Sequence, residues 1–298
     1  ISNGGTVANT AGTIGFTNTS SNNSVLVTGA GSLWTNSSYL VVGEFGSGNS
    51  LVISNGGTVA NTSAEIGYWT NSSNNRVLVT DGGTWTNSSF ITVGSDGSGN
   101  SLVISNGGQV HSGGEVNIGY WETSSNNSVL VTGSNSLWTN AGALNVGEEG
   151  SGNSLVISNG GALHNGGYAG IGYYANSSNN SVLVTDGGTW TNARGLSVGE
   201  SGSGNSLVIS NGGVVAITQE GYIGYESTSS NNSVLVTGTN SLWTNSGDLS
   251  VGSSGSSNGL VISNGGKVAN QLGYIGYNAV SSNNSVLVTG SNSVWTNS

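Results

Sequence analysis

The stretch Ser-Ser-Asn-Asn-Ser-Val-Leu-Val-Thr that ends at Thr28 returns almost unchanged around Val77, Val129, Val182, Val234 and Val286, about every 52 residues. Midway between these copies lies a sister phrase, Leu-Val-Ile-Ser-Asn-Gly-Gly, starting at Leu51, Leu102, Leu155, Leu207 and Leu260. The whole chain is thus one unit of about 26 residues, written alternately in two forms. A unit of this size cannot bury its own apolar face, so the chain is constrained to a stacked array in which each unit leans on its neighbours. Residues 1–298 read as a single array with no internal boundary. Ile1 is in register with Ile53, and the last phrase closes just after Trp295, so both ends are expected to fall inside a repeat of a longer protein.

Each unit offers three short strand candidates, for example Val25–Val27, Leu33–Thr35 and Leu40–Val42 in one form. The other form offers Leu51–Ile53, Thr58–Ala60 and Ala64–Ile66. All are rich in β-branched residues and bounded by Gly, Asn and Ser, and no segment sustains a helical period. Gly 53 with Pro 0 fits such a chain: glycines sit at fixed corners, and a ladder that needs nearly every N–H excludes proline. The expected fold is all-β, a right-handed parallel β-helix (β-solenoid) of about 26 residues and three strands per turn, with about twelve turns stacked over about 58 Å.

The columns of the alignment assign faces. Trp34, Trp85, Trp138, Trp190, Trp243 and Trp295 alternate with Val59, Val110, Leu163, Val215 and Val268, while the flanking columns admit Gln109, Lys267, His111 and His164. Side chains alternate across a strand, so the Trp/Val column is core, large stacked over small. In the third strand Leu40, Ile91, Leu144, Leu196 and Leu249 alternate with Ala64, Val116, Ala169, Gly221 and Gly273; the next column, with Glu65, Asn117 and Ser197, is expected to face water. An aliphatic-Gly pair then marks a corner, as in Ile14-Gly15, Val42-Gly43, Ile66-Gly67 and Ile275-Gly276. Before the first strand runs an unbroken column: Asn23, Asn49, Asn75, Asn100, Asn127, Asn153, Asn180, Asn205, Asn232, Asn258 and Asn284. Asparagine tolerates left-handed backbone angles and can hydrogen-bond its own amide one turn away, so this column is expected to be a structural ladder.

Chemistry is sparse. Asp81 and Asp186 hold equivalent positions about 19 Å apart, and Glu44, Glu148 and Glu200 share a column but never adjacent turns. His111 and His164 face outward about 10 Å apart, too far to share a zinc ion. The chain is therefore expected to have no catalytic residues, no metal site and no cofactor. With three basic residues, Arg76, Arg194 and Lys267, against a net charge of −10, it is not expected to bind nucleic acid. No run approaches the ~20 apolar residues of a membrane span, so no membrane insertion of this segment is expected.

Two files remain. In the first strand all three positions are aliphatic, and parity puts the middle one outside: Leu26, Val52, Leu78, Val103, Leu130, Val156, Leu183, Val208, Leu235, Val261 and Leu287. A continuous apolar stripe marks a candidate lateral interface, and open strand edges would allow end-to-end continuation, so self-association is the expected partnership. Phe16, Tyr68, Tyr120, Tyr173, Tyr225 and Tyr277 follow the corner glycine, where a tyrosine covering the glycine is the simpler role and ligand stacking the rival.

The phrases N-S-V-L-V-T-G-x-x-S-L-W-T-N and G-S-G-N-S-L-V-I-S-N-G-G span the chain. They resemble the repeats of bacterial type V secretion (autotransporter) passengers and of PEP-CTERM-associated surface proteins. The resemblance implies an extracellular or cell-surface right-handed β-helix and carries over no binding residue. A structural rod or fibre segment of a large surface or secreted protein is the expected function. An adhesin passenger that binds surface glycans through exposed loops is the rival. Units that differ by only a residue or two favour the rod.

Overall fold

In the computed structural model, which describes residues 1–298, one turn runs through the strands Ser128–Thr132, Leu137–Asn140 and Leu144–Val146 before the chain climbs to the next. Strands in equivalent positions pair in parallel with the turns above and below, which generates three sheets of 11, 12 and 11 strands. These are the first, second and third sheets, in the order the chain visits them within a turn. Neighbours in each sheet are three strands apart in the chain, so every parallel pair is joined by a crossover through the other two sheets, as a solenoid requires.

Register matches the two sequence forms column by column. Val129 pairs with Leu102 and Leu155, Trp138 with Val110 and Leu163, and Leu144 with Val116 and Ala169. A single cluster of 48 buried residues fills the interior from end to end. Trp85, Trp138, Trp190 and Trp243 are its largest fully buried members, each stacked between smaller residues so that the indole fills space the neighbouring turns leave open.

The corner between the third and first sheets shows why Gly and Asn are invariant along the chain. Gly147 adopts φ of +76°, and a β-carbon there would lie 2.2 Å from the amide nitrogen of Asn180. The corner glycine of one turn thus makes the space that the ladder asparagine of the next turn fills. Asn153 then receives two donors from Asn127, its backbone N–H at 2.9 Å and its side-chain Nδ2 at 3.1 Å. The same pair of bonds links each member from Asn23 to Asn284. The ladder asparagines do not themselves take left-handed angles. That task falls to the preceding residue, Asn74, Asn126 or Asn179 in one form and Gly99, Gly152 or Gly204 in the other. The amide and the backbone turn, which the sequence places in one residue, are divided between two.

Two further rows tie turn to turn. Ser124 is buried and donates to the corner carbonyl of Gly94 at 2.6 Å, as Ser177 does to Gly147. At the end of the second strand lies a second amide ladder, in which Asn140 donates to Asn165 at 2.7 Å and Asn165 to Asn192. Ser112 and Ile217 interrupt it.

Candidate functional site

The three sheets present three different outer faces. On the first, Val52, Leu78, Val103, Leu130, Val156, Leu183, Val208, Leu235 and Val261 are half-buried and in line, with Leu130 paired to Val103 and Val156. Leu26, 49% exposed, and Leu287, 54% exposed, end the file. A hydroxyl row flanks it, paired between turns: Ser158 donates to Thr132 at 3.0 Å and Ser105 to Thr80 at 3.1 Å. Arg76 is the one charged side chain on these strands. The face is flat, apolar along its midline and already satisfied in its hydrogen bonds.

The second face carries His111 and His164. Each is paired with a threonine of the next turn, His111 Nδ1 lying 2.5 Å from Thr139 Oγ1 and His164 Nδ1 lying 2.6 Å from Thr191 Oγ1. A shallow groove of about 620 Å³ runs along its edge past Asn140, Asn165 and Asn192, whose amides are engaged in the second ladder.

The third face departs from the parity expectation. Asn117, Asn145, Ser197 and Ser250 point away from the core and yet are buried, Ser197 completely and Asn145 to 4% exposure; Glu65 is more than half covered. The physical reason lies on either side of the strand. Strands of three or four residues are short enough for long side chains at both ends to arch over them. Tyr168 stands before its strand and reaches Ser197 and Glu200 of the next turn, the latter at 2.5 Å. From the other end Tyr173 folds back until its ring lies 3.1 Å from where a β-carbon of Gly170 would be. The result is a trough floored by the third sheet and walled by aromatic and acidic residues.

Acids that are scattered in sequence meet here. Asn145 Nδ2 donates to Glu115 Oε1 and to Asn117 Oδ1, both at 3.0 Å, and Glu148 lines the same cleft. Burial raises the Glu148 carboxyl to about 7, helped by Glu115 and opposed by the amide of Asn145. Glu65 is likewise raised to about 7, chiefly by burial; the Ser95 hydroxyl lowers it and nearby Glu44 raises it. Burial raises the Tyr168 phenol well above its usual range, with Glu200 adding to the effect. The corner tyrosines pair edge-on with a second aromatic: Tyr120 with Trp121 at 4.8 Å, Tyr173 with Tyr174 at 5.0 Å and Tyr222 with Tyr225 at 4.6 Å. Phe45 and Trp69 stack at 5.7 Å from adjacent turns.

The sequence reading placed the tyrosine file and the column of Glu44, Glu148 and Glu200 but did not bring them together. The signal available was the aromatic residue at Tyr39, Phe90 and Tyr168, just before the third strand, matched by the file after the corner. The described residues contain no group of three or more His, Asp or Glu placed to hold a metal ion.

No family model matches the chain, and no curated protein matches it. Among solved structures it is similar to the crystal structure of the TibC-catalyzed hyper-glycosylated TibA fragment. The identity is 17% and the TM-score 0.30, over 97% of this chain and all of that one. A likeness at that level carries no functional argument.

Proposed function

We propose that the chain is a rod segment of a bacterial cell-surface or secreted protein, without catalytic activity, whose first-sheet face packs laterally against other copies. The observation that carries this reading is the uninterrupted stack. One core and one amide ladder run through every turn, with no inserted domain or long loop. Such a body has length and stiffness, which are mechanical properties, and nearest-neighbour cooperativity suits it to bear load along its axis. A flat apolar midline with few charges favours side-by-side packing, because little repulsion opposes it. The rival in which exposed loops bind a ligand is less well supported, since the connections between strands are short and repeat from turn to turn. Surface location is tested by protease shaving of intact source cells followed by immunodetection. Loss of the segment without lysis is expected. Protection until the cells are broken would contradict it.

A further inference from the structure

Four clefts open on the outer face of the third sheet, with volumes of about 480, 340, 280 and 310 Å³. They follow one another along the rod axis, and each joins carboxylates or amides on the floor to tyrosine, tryptophan or phenylalanine rings on the walls. We propose that this trough binds an extended, neutral, hydroxyl-rich polysaccharide laid along the axis of the rod. The inference goes beyond the rod reading and does not depend on it, since a rod needs no ligand.

The lining selects for hydrogen-bond donors. Asn145 is only 4% exposed and leaves its Oδ1, an amide oxygen that can only accept, without a partner in the cleft. Buried acceptors in this state are costly unless a donor arrives, and no lysine or arginine lines any of the four clefts. A sugar hydroxyl would supply that donor. A polyanion would instead meet Glu115, Glu220 and Asp248 and be repelled. The walls suit the apolar faces of sugar rings: Trp121 is 47% exposed and Tyr174 48% exposed, each braced edge-on by the tyrosine beside it. Trp121 and Tyr174 hold equivalent positions two turns apart, about 9.6 Å at strand spacing, so a ligand that repeats every two units along a straight chain meets the same contact at both. A β-linked glycan in its extended form has that character.

Isothermal titration of the 298-residue chain with cellohexaose, mannohexaose and N-acetylchitohexaose, alongside polygalacturonate, tests the proposal. Saturable binding of at least one neutral hexaose is expected, with no binding of polygalacturonate. The Tyr174→Ala and Trp121→Ala variants should each weaken it roughly tenfold while leaving the β-sheet circular dichroism unchanged. Leu130→Lys, on the outer face of the first sheet, should bind as the parent does. The proposal is overturned if none of the three hexaoses binds at millimolar concentration, if both aromatic variants bind unaltered, or if polygalacturonate binds as well as the neutral sugars.

Discussion

The indole N–H of Trp85 donates to the side-chain oxygen of Asn61, 2.9 Å away and one turn earlier. Trp295 makes the same bond to Asn270 at 2.6 Å. The largest core residue is therefore anchored by the second amide ladder, and this is where the ladder's interruptions matter. One turn before Trp138 the ladder position is Ser112, and before Trp243 it is Ile217; both indole nitrogens are left without a partner. Trp190 is also unpartnered although Asn165 precedes it; there Asn165 Oδ1 accepts from Asn140 instead.

The Trp85–Asn61 bond should show as coupling. Asn61→Ala orphans a buried donor, and Trp85→Phe removes that donor, so the double variant should be less destabilised than the sum of the two by about 1 kcal/mol. Urea unfolding of the four proteins of the cycle measures it. Strict additivity would mean the bond contributes nothing net.

Two glycines with similar backbone angles should respond differently to alanine. At Gly147 a β-carbon meets Asn180 at 2.2 Å, whereas at Gly187, with φ of +72°, it meets nothing within 4 Å. Gly187→Ala should cost only the left-handed strain, about 1 kcal/mol. Gly147→Ala should cost at least about 2 kcal/mol more, because it also displaces a ladder amide. Thermal unfolding of the two variants decides between a packing role and a purely conformational role for the corner.

Glu65 should make stability depend on pH. Its folded carboxyl is raised to about 7 from 4.5, so folding favours the protonated form. The stabilisation is fully present below pH 4.5 and is lost as pH rises through about 7, a contribution of about 3 kcal/mol. Glu65→Gln should therefore be more stable than the parent at pH 8 and nearly equal to it at pH 4. A parent whose stability rises between those values, with no difference from the variant, would show that Glu65 is not held neutral.

The period and the columns were legible because each turn repeats the same physical problem. Trp138 over Val110 and Leu144 over Val116 follow from alternation alone. The covering of the third sheet was not legible, because strand parity says which way Asn145 points and nothing about what arches over it. Tyr168 and Tyr173 come from outside the strand, on opposite ends. Glu115 and Glu148 belong to different columns and different turns, so comparing equivalent positions keeps them apart while the fold gathers them around one amide. The second ladder was present in the Trp-Thr-Asn phrase, yet only the register shows Asn140 over Asn165.

Lateral packing through the first-sheet face is the account's central claim, and sedimentation velocity tests it most directly. The unaltered chain should show concentration-dependent association, and the double substitution Leu130→Lys and Leu183→Lys should reduce it to a single slow species with unchanged β-sheet circular dichroism. A parent chain that sediments as a monomer at every concentration, indifferent to the two lysines, would contradict it.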